Sequence, residues 1–340
     1  MKKILLGLCI AAFVLPLFAD DALVMPSHVI RTYLVGVYAN VPSAYDNDGK
    51  KQSLDDKISV FNLGAAVEYG VNDWVTGAVQ WVPGYNISSK IDNQDKATLA
   101  DTADLFVGAK LQIVGPKAPV QNESIRFAIA PGIKIPLSKP DYETEFKNYM
   151  SGDTYLGQSA DKHLFGIGGR GFFDYIVNEM VFLNLYTQLI YYPASIKAVD
   201  HSLTDYGTVY QVQNSGLPGA SSYDPSLKLG YDLTLEFEPH FNKMLNEGIE
   251  FEAGLPFTYT ASPGAKVSDD TYDIYSDKTK AVYSETQASH LLTLGPNVSL
   301  FFQKTFIPLE LELGYTFPLL GKNDNASNLL LLELKAYAKL

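Results

Sequence analysis

Long runs of strict two-residue alternation constrain this chain more than any other feature. Leu227, Leu229, Tyr231, Leu233, Leu235 and Phe237 alternate with Lys228, Gly230, Asp232, Thr234, Glu236 and Glu238, and the pattern returns at 249–258 and 309–318. Successive side chains of a strand point to opposite faces, so each run makes a strand with one polar face and one unusually apolar face. Twelve candidate strands follow, near 28–40, 58–70, 74–84, 103–114, 124–137, 163–177, 180–195, 226–238, 248–261, 288–303, 308–319 and 328–340. Each can supply the roughly 9–11 residues of a tilted membrane strand, whereas strands of soluble proteins average about 5–6.

The connections point the same way. Short turns fall after even strands, at Val71–Asp73, Gly115–Glu123, Asn178–Glu179, Pro239–Glu247 and Lys304–Ile307, and longer polar connections fall after odd strands, at 41–57, 85–102, 138–162, 196–225, 262–287 and 320–327. That alternation marks a bacterial outer-membrane barrel, with turns in the periplasm and loops outside. The expected fold is all-β: a closed antiparallel transmembrane β-barrel of about twelve strands, fourteen being the alternative count. Pro42, Pro83, Pro136, Pro193, Pro256 and Pro318 recur near the loop ends of the upward strands, where a residue without N–H is tolerated at strand ends and bulges.

Residues 1–19 have a basic start at Lys2 and Lys3, an apolar stretch to Phe18 and a small-residue exit at Ala19, the pattern of a secretory signal peptide. The expected mature domain is 20–340. Cys9 lies within the signal, so a lipoprotein anchored there is the minor alternative, and the mature chain carries no thiol. With 46% hydrophobic residues the chain lacks the repeated apolar runs of about 20 residues that helical membrane bundles need. A formal charge of −12 opposes nucleic-acid binding, and one cysteine excludes a disulfide framework or a zinc ribbon.

If the apolar faces meet lipid, the alternate residues line a lumen. Lys110, Arg126, Lys134 and Arg170 form a basic arc on the fourth to sixth strands, accompanied by Phe106, Phe172 and Tyr186. Asp232, Glu236, Glu250, Glu252, Glu310 and Glu312 form an acidic arc on the eighth to eleventh. Opposed arcs can orient a polar solute or hold a carboxylate head group on the basic side; they also serve simply to fill and neutralise a narrow lumen. Tyr33, Trp81, Tyr175, Tyr191, Tyr192 and Tyr259 suit aromatic girdles at the membrane surfaces.

The phrases APGIKIPL (130–137) and LGAAVEYGVNDWVTGAVQW (63–81) resemble diverged FadL-type outer-membrane transporters, particularly spirochaete members, and related transporters associated with phenol degradation. The resemblance implies a monomeric barrel that passes hydrophobic small molecules, typically long-chain fatty acids. It also implies fourteen strands and a long N-terminal hatch opening on Asn-Pro-Ala. Here only Asp20–Ser27 precede the first strand, that tripeptide is absent, and no family binding residue is carried over.

No phosphate loop, His-Glu-x-x-His, Gly-x-Ser-x-Gly or dinucleotide fingerprint occurs, so no catalytic residue, metal or cofactor is expected. The glycines of 165–171 sit inside an alternating strand and read as close packing. His290 with Ser284 or Ser289 would be the start of an outer-membrane phospholipase, and the long loops would suit an adhesin; both rank below a channel for passive uptake of small hydrophobic or amphipathic molecules. The expected partners are outer-membrane lipid, such a solute and the barrel-assembly machinery, which reads the last strand ending at Leu340.

Overall fold

A computed structural model describes residues 21–92, 102–138, 143, 147, 151, 161–197, 209–216, 220–223, 225–267, 272–273, 280–281 and 287–340. Residues 1–19 lie outside this set, as does most of the three longest loops.

Twelve antiparallel strands close on themselves. They are β1 (Val29–Tyr45), β2 (Lys51–Asn72), β3 (Val75–Ile91), β4 (Leu105–Gly115), β5 (Ile125–Ile135), β6 (Gly166–Ile176), β7 (Val181–Tyr192), β8 (Gly230–Asn246), β9 (Ile249–Gly254 and Phe257–Ser262), β10 (Ser289–Leu294 and Asn297–Phe302), β11 (Leu309–Lys322) and β12 (Asn328–Lys339). Each pairs with its neighbours in sequence, and β12 pairs with β1 from Val29↔Lys339 to Asn40↔Asn328. The strand count is therefore twelve, not fourteen.

Asparagine shapes the short-turn end. The side chains of Asn72, Asn122, Asn178 and Asn246 each accept a backbone N–H two residues on, the Asx turn that makes this residue a turn former. At the other end, Asp46 accepts the N–H groups of Asp48 and Lys50 in the exposed β1–β2 hairpin, and the Lys50 bond above all holds its carboxyl below the usual range.

Most of the prolines fall where a ladder donor is not needed. Pro42 and Pro318 lie at register shifts, Pro136 and Pro193 follow the ends of β5 and β7, and Pro256 interrupts β9. The expected turn at Pro239–Glu247 is instead the continuation of β8. Pro239 sits opposite the interruption in β9 and still accepts Leu255 N–H at 3.1 Å, so its missing donor breaks nothing.

The outer wall is apolar. Leu34, Val67, Leu185, Leu235, Leu313 and Leu332 are exposed, while their sequence neighbours point inward and are buried. A closed barrel with such a band is built to stand in a bilayer, where every backbone polar group must be satisfied within the wall. Tyr175 and Tyr191 are exposed on this surface as girdle residues should be. Tyr33 and Tyr192 are not: they turn into the lumen, where their hydroxyls donate to Glu68 and Asp232 at 2.8 Å. Lys228 is a second correction. The barrel strand starts at Gly230, and Lys228 belongs to a small separate sheet, exposed to solvent.

Candidate functional site: the barrel lumen

The lumen divides by height. Near the long-loop end its wall on β1 and β2 is apolar: Val35, Val37, Ala39, Val41, Ile58 and Val60 all point inward and are buried. Alternation could not place this strip, because β1 is apolar on both faces. Beside it, Phe106, Ile190 and Tyr192 pack against Leu164, Val209, Val212, Tyr223, Leu229 and Ala265. Several of these come from the loops, so folded loop segments cover this part of the lumen.

Ion pairs lie under that cover. Lys134 binds Asp161 and lies 3.9 Å from Asp104, while Lys162 binds Asp232. Asp161 and Lys162 belong to the loop that leads into β6. Asp104 sits just before β4, outside the spanning segment, and burial pushes its carboxyl up to about 6.

The middle of the lumen is narrow, with a free cavity of only about 60 Å³. Arg170 stacks over the Phe106 ring at 3.9 Å and donates to Gln188 at 2.8 Å and to Gln80. Gln80 in turn donates to Tyr33 at 2.9 Å. Lys110 lies 4.2 Å over the Phe172 ring, and Phe172 meets Tyr186 at 5.3 Å.

Below this constriction lies a chamber of about 550 Å³ at the short-turn end. Its wall carries Glu238, Glu250, Glu252, Glu310 and Glu312. Lys335 binds Glu310 at 2.8 Å and Glu312 at 2.9 Å, and reaches Glu333 at 3.3 Å. Gly254 faces the same wall, where a Cβ would meet the Glu238 carboxylate at 1.8 Å.

The segment before β1 enters this chamber, which alternation could not foresee. Ala22 is fully buried among Ala128, Ala130, Phe172 and Tyr186. Its N–H donates to Asp174 at 2.9 Å, Met25 N–H donates to Thr76 at 2.8 Å, and Lys110 donates to the Asp21 carbonyl. Arg126 lies 3.5 Å from Asp21 and 3.7 Å from Asp174. The leader segment described before β1, residues 21–26, thus fills part of this end of the lumen. Strand β2 admits it at Gly70, where any Cβ would strike the Pro26 carbonyl at 2.0 Å. A variant lacking residues 21–26 should therefore conduct more per channel in planar bilayers, because it removes lumen filling without cutting a strand; unchanged conductance would place the limiting constriction elsewhere.

The residues expected to form two opposed arcs lie at different heights along the inner wall. Charges sort by height, and the four basic groups already have partners. Lys134 is held by a loop aspartate, Lys110 and Arg126 by the leader, and Arg170 by two glutamines and a ring. In the acidic set, Asp232 stands apart near the long-loop end with Lys162 and Ser262, and Glu236 accepts the Thr258 hydroxyl at 2.6 Å. Of the hydrolase candidates, His290 makes its ring contact with Tyr259 at 6.0 Å, and Ser284 lies outside the described residues. Among the described residues no three His, Cys, Asp or Glu side chains are placed to hold a metal ion.

The sequence matches no protein-family model and no curated relative. Its fold matches solved structures. An outer-membrane channel from Pseudomonas putida F1 aligns with a TM-score of 0.60 at 12% identity, covering 94% of this chain and 99% of that one. The toluene transporter TodX of Pseudomonas putida (TM-score 0.38, 10% identity, 93% and 90% covered) and the toluene transporter TbuX of Ralstonia pickettii (0.37, 8%, 93% and 90%) align less well. The first of these likenesses agrees with the fold: the chain is built as a closed antiparallel β-barrel.

Proposed function

We propose that the protein is an outer-membrane channel for passive passage of small hydrophobic or amphipathic molecules. The observation that carries this reading is the inward apolar strip of Val35, Val37, Ala39, Val41, Ile58 and Val60. Lumens of transmembrane barrels are ordinarily polar; this strip is apolar and packed shut, so it favours an apolar solute that passes as those side chains part. The polar chamber below it suits the head group of an amphipathic one. The likeness to the Pseudomonas putida channel fits this reading. Long-chain fatty acids are one member of the class; their carboxylate would have to displace existing partners of Lys110, Arg126 or Arg170.

The test is uptake of the neutral hydrophobic probe N-phenyl-1-naphthylamine by cells carrying the barrel in their outer membrane. Uptake should exceed that of control cells. The pair Val35→Thr and Val37→Thr keeps side-chain size but adds hydroxyls, and should slow uptake several-fold while the barrel stays heat-modifiable on gels. Equal uptake with and without the protein would refute the channel reading.

A further inference from the structure

The chamber at the short-turn end carries more negative charge than its own cations can balance. Glu238, Glu250, Glu252, Glu310, Glu312 and Glu333 lie on one side of the lumen. Against them stand Lys335, shared by three of the six, and His240, which lies 3.6 Å from Glu238 and 3.4 Å from Glu252. Glu250 accepts only a neutral amide, from Gln303 at 2.9 Å. The other cations of the chamber already have partners: Arg31, on β1 next to Tyr337 of β12, pairs with Glu68, Lys110 with the Asp21 carbonyl, and Arg126 with Asp21 and Asp174, which leaves the carboxylates in excess. Carboxylates gathered in a partly enclosed space favour a further positive charge among them.

A second observation shows where that charge would sit. The Ser299 hydroxyl lines the chamber in a residue only 6% exposed, yet it makes no hydrogen bond. In register it lies between Glu252 on β9 and Glu312 on β11. Buried hydroxyls are ordinarily paired, and this one is free to accept an N–H. Close by, the ring of Phe182 stacks on His240 at 4.4 Å and that of Phe301 meets Tyr337 at 5.0 Å. The chamber's 550 Å³ falls within the range of about 300–1,000 Å³ common for small-molecule sites.

We propose that this chamber binds small organic ammonium ions, with the nitrogen donating to Glu250, Glu252 and Ser299 and the apolar part lying against Phe182 and Phe301. The inference rests on the channel reading and names the charge class that the same lumen accepts. An ammonium with an apolar body uses both halves of the wall. A bare metal ion uses neither the rings nor any ready ligand group.

Calorimetric titration of the mature barrel in dodecylphosphocholine micelles tests it, with phenethylammonium, 3-phenylpropionate and calcium as probes at one ionic strength. Phenethylammonium should bind and 3-phenylpropionate should not. Glu250→Gln with Glu252→Gln should weaken phenethylammonium binding roughly tenfold or more, through loss of charge-assisted bonds. Ser299→Ala removes a hydroxyl that holds nothing, so gel migration should stay heat-modifiable while affinity falls roughly threefold. The inference is overturned by absent binding, by equal binding of the carboxylate, by indifference to both sets of variants, or by calcium displacing the ammonium at lower concentration. The naphthylamine assay separates the two readings: uptake without ammonium binding removes this inference alone, whereas absent uptake removes the channel reading and this extension of it.

Discussion

Lys335→Met is expected to destabilise the folded barrel by about 3 kcal/mol, the lower end of the cost of removing one partner from a buried ion pair. The ammonium group is the shared cation of Glu310, Glu312 and Glu333, at 2.8, 2.9 and 3.3 Å. Methionine preserves the stem's packing but leaves three carboxylates facing one another. The cost stays at the lower end because Lys335 lines the chamber, where water can solvate part of the stranded charge. The loss should be visible as a lower urea midpoint in detergent micelles. Adding Glu310→Gln, Glu312→Gln and Glu333→Gln should restore most of it, since replacing an entire ionic cluster by neutral groups is often close to neutral. A methionine variant as stable as the parent would mean that the glutamates are neutralised by other means.

The second large effect lies on the outer wall of the same strand. Leu332 is 51% exposed and stands beside Gly36 and Leu313 on the outward face. Arginine there should cost roughly 2–4 kcal/mol in folding into lipid bilayers, the range for a charge near the midplane on a lipid-facing site. Ala338→Arg, on the same face six residues nearer the short-turn end, should cost only about 0–1 kcal/mol, because the side chain reaches the interface. Equal costs at the two positions would contradict the membrane placement of β12.

Alternation reads well where one face meets lipid and the other a polar lumen, and it reads poorly elsewhere. The twelve strands and their polar inward residues, from Glu68 on β2 to Glu333 on β12, follow from it, because a one-residue slip would turn every apolar side chain the wrong way. Tyr33 and Tyr192 defeat it because an aromatic residue with a hydroxyl suits a girdle and a wet lumen equally. Val35 and Val37 defeat it because β1 is apolar on both sides. The pairing of the basic residues was hidden for a different reason. Asp21, Asp161 and Lys162 lie in segments with no periodicity, so nothing local ties them to Lys110, Lys134 or Asp232. The candidate chamber was thus legible as a set of residues, while its charge imbalance emerged only from the partners those segments supply.

The seam between β1 and β12 joins the two extremities of the folded chain: Val29 faces Lys339, and Leu340 N–H donates to the His28 carbonyl at 2.8 Å. The cylinder therefore cannot shut until β12 has been made. Until then β1 and β11 each present a bare edge, and unpaired edges recruit other chains. The adjacency also makes the seam a natural place to splice the ends and move the opening to one of the asparagine turns, which would give the same cylinder with a different order of assembly.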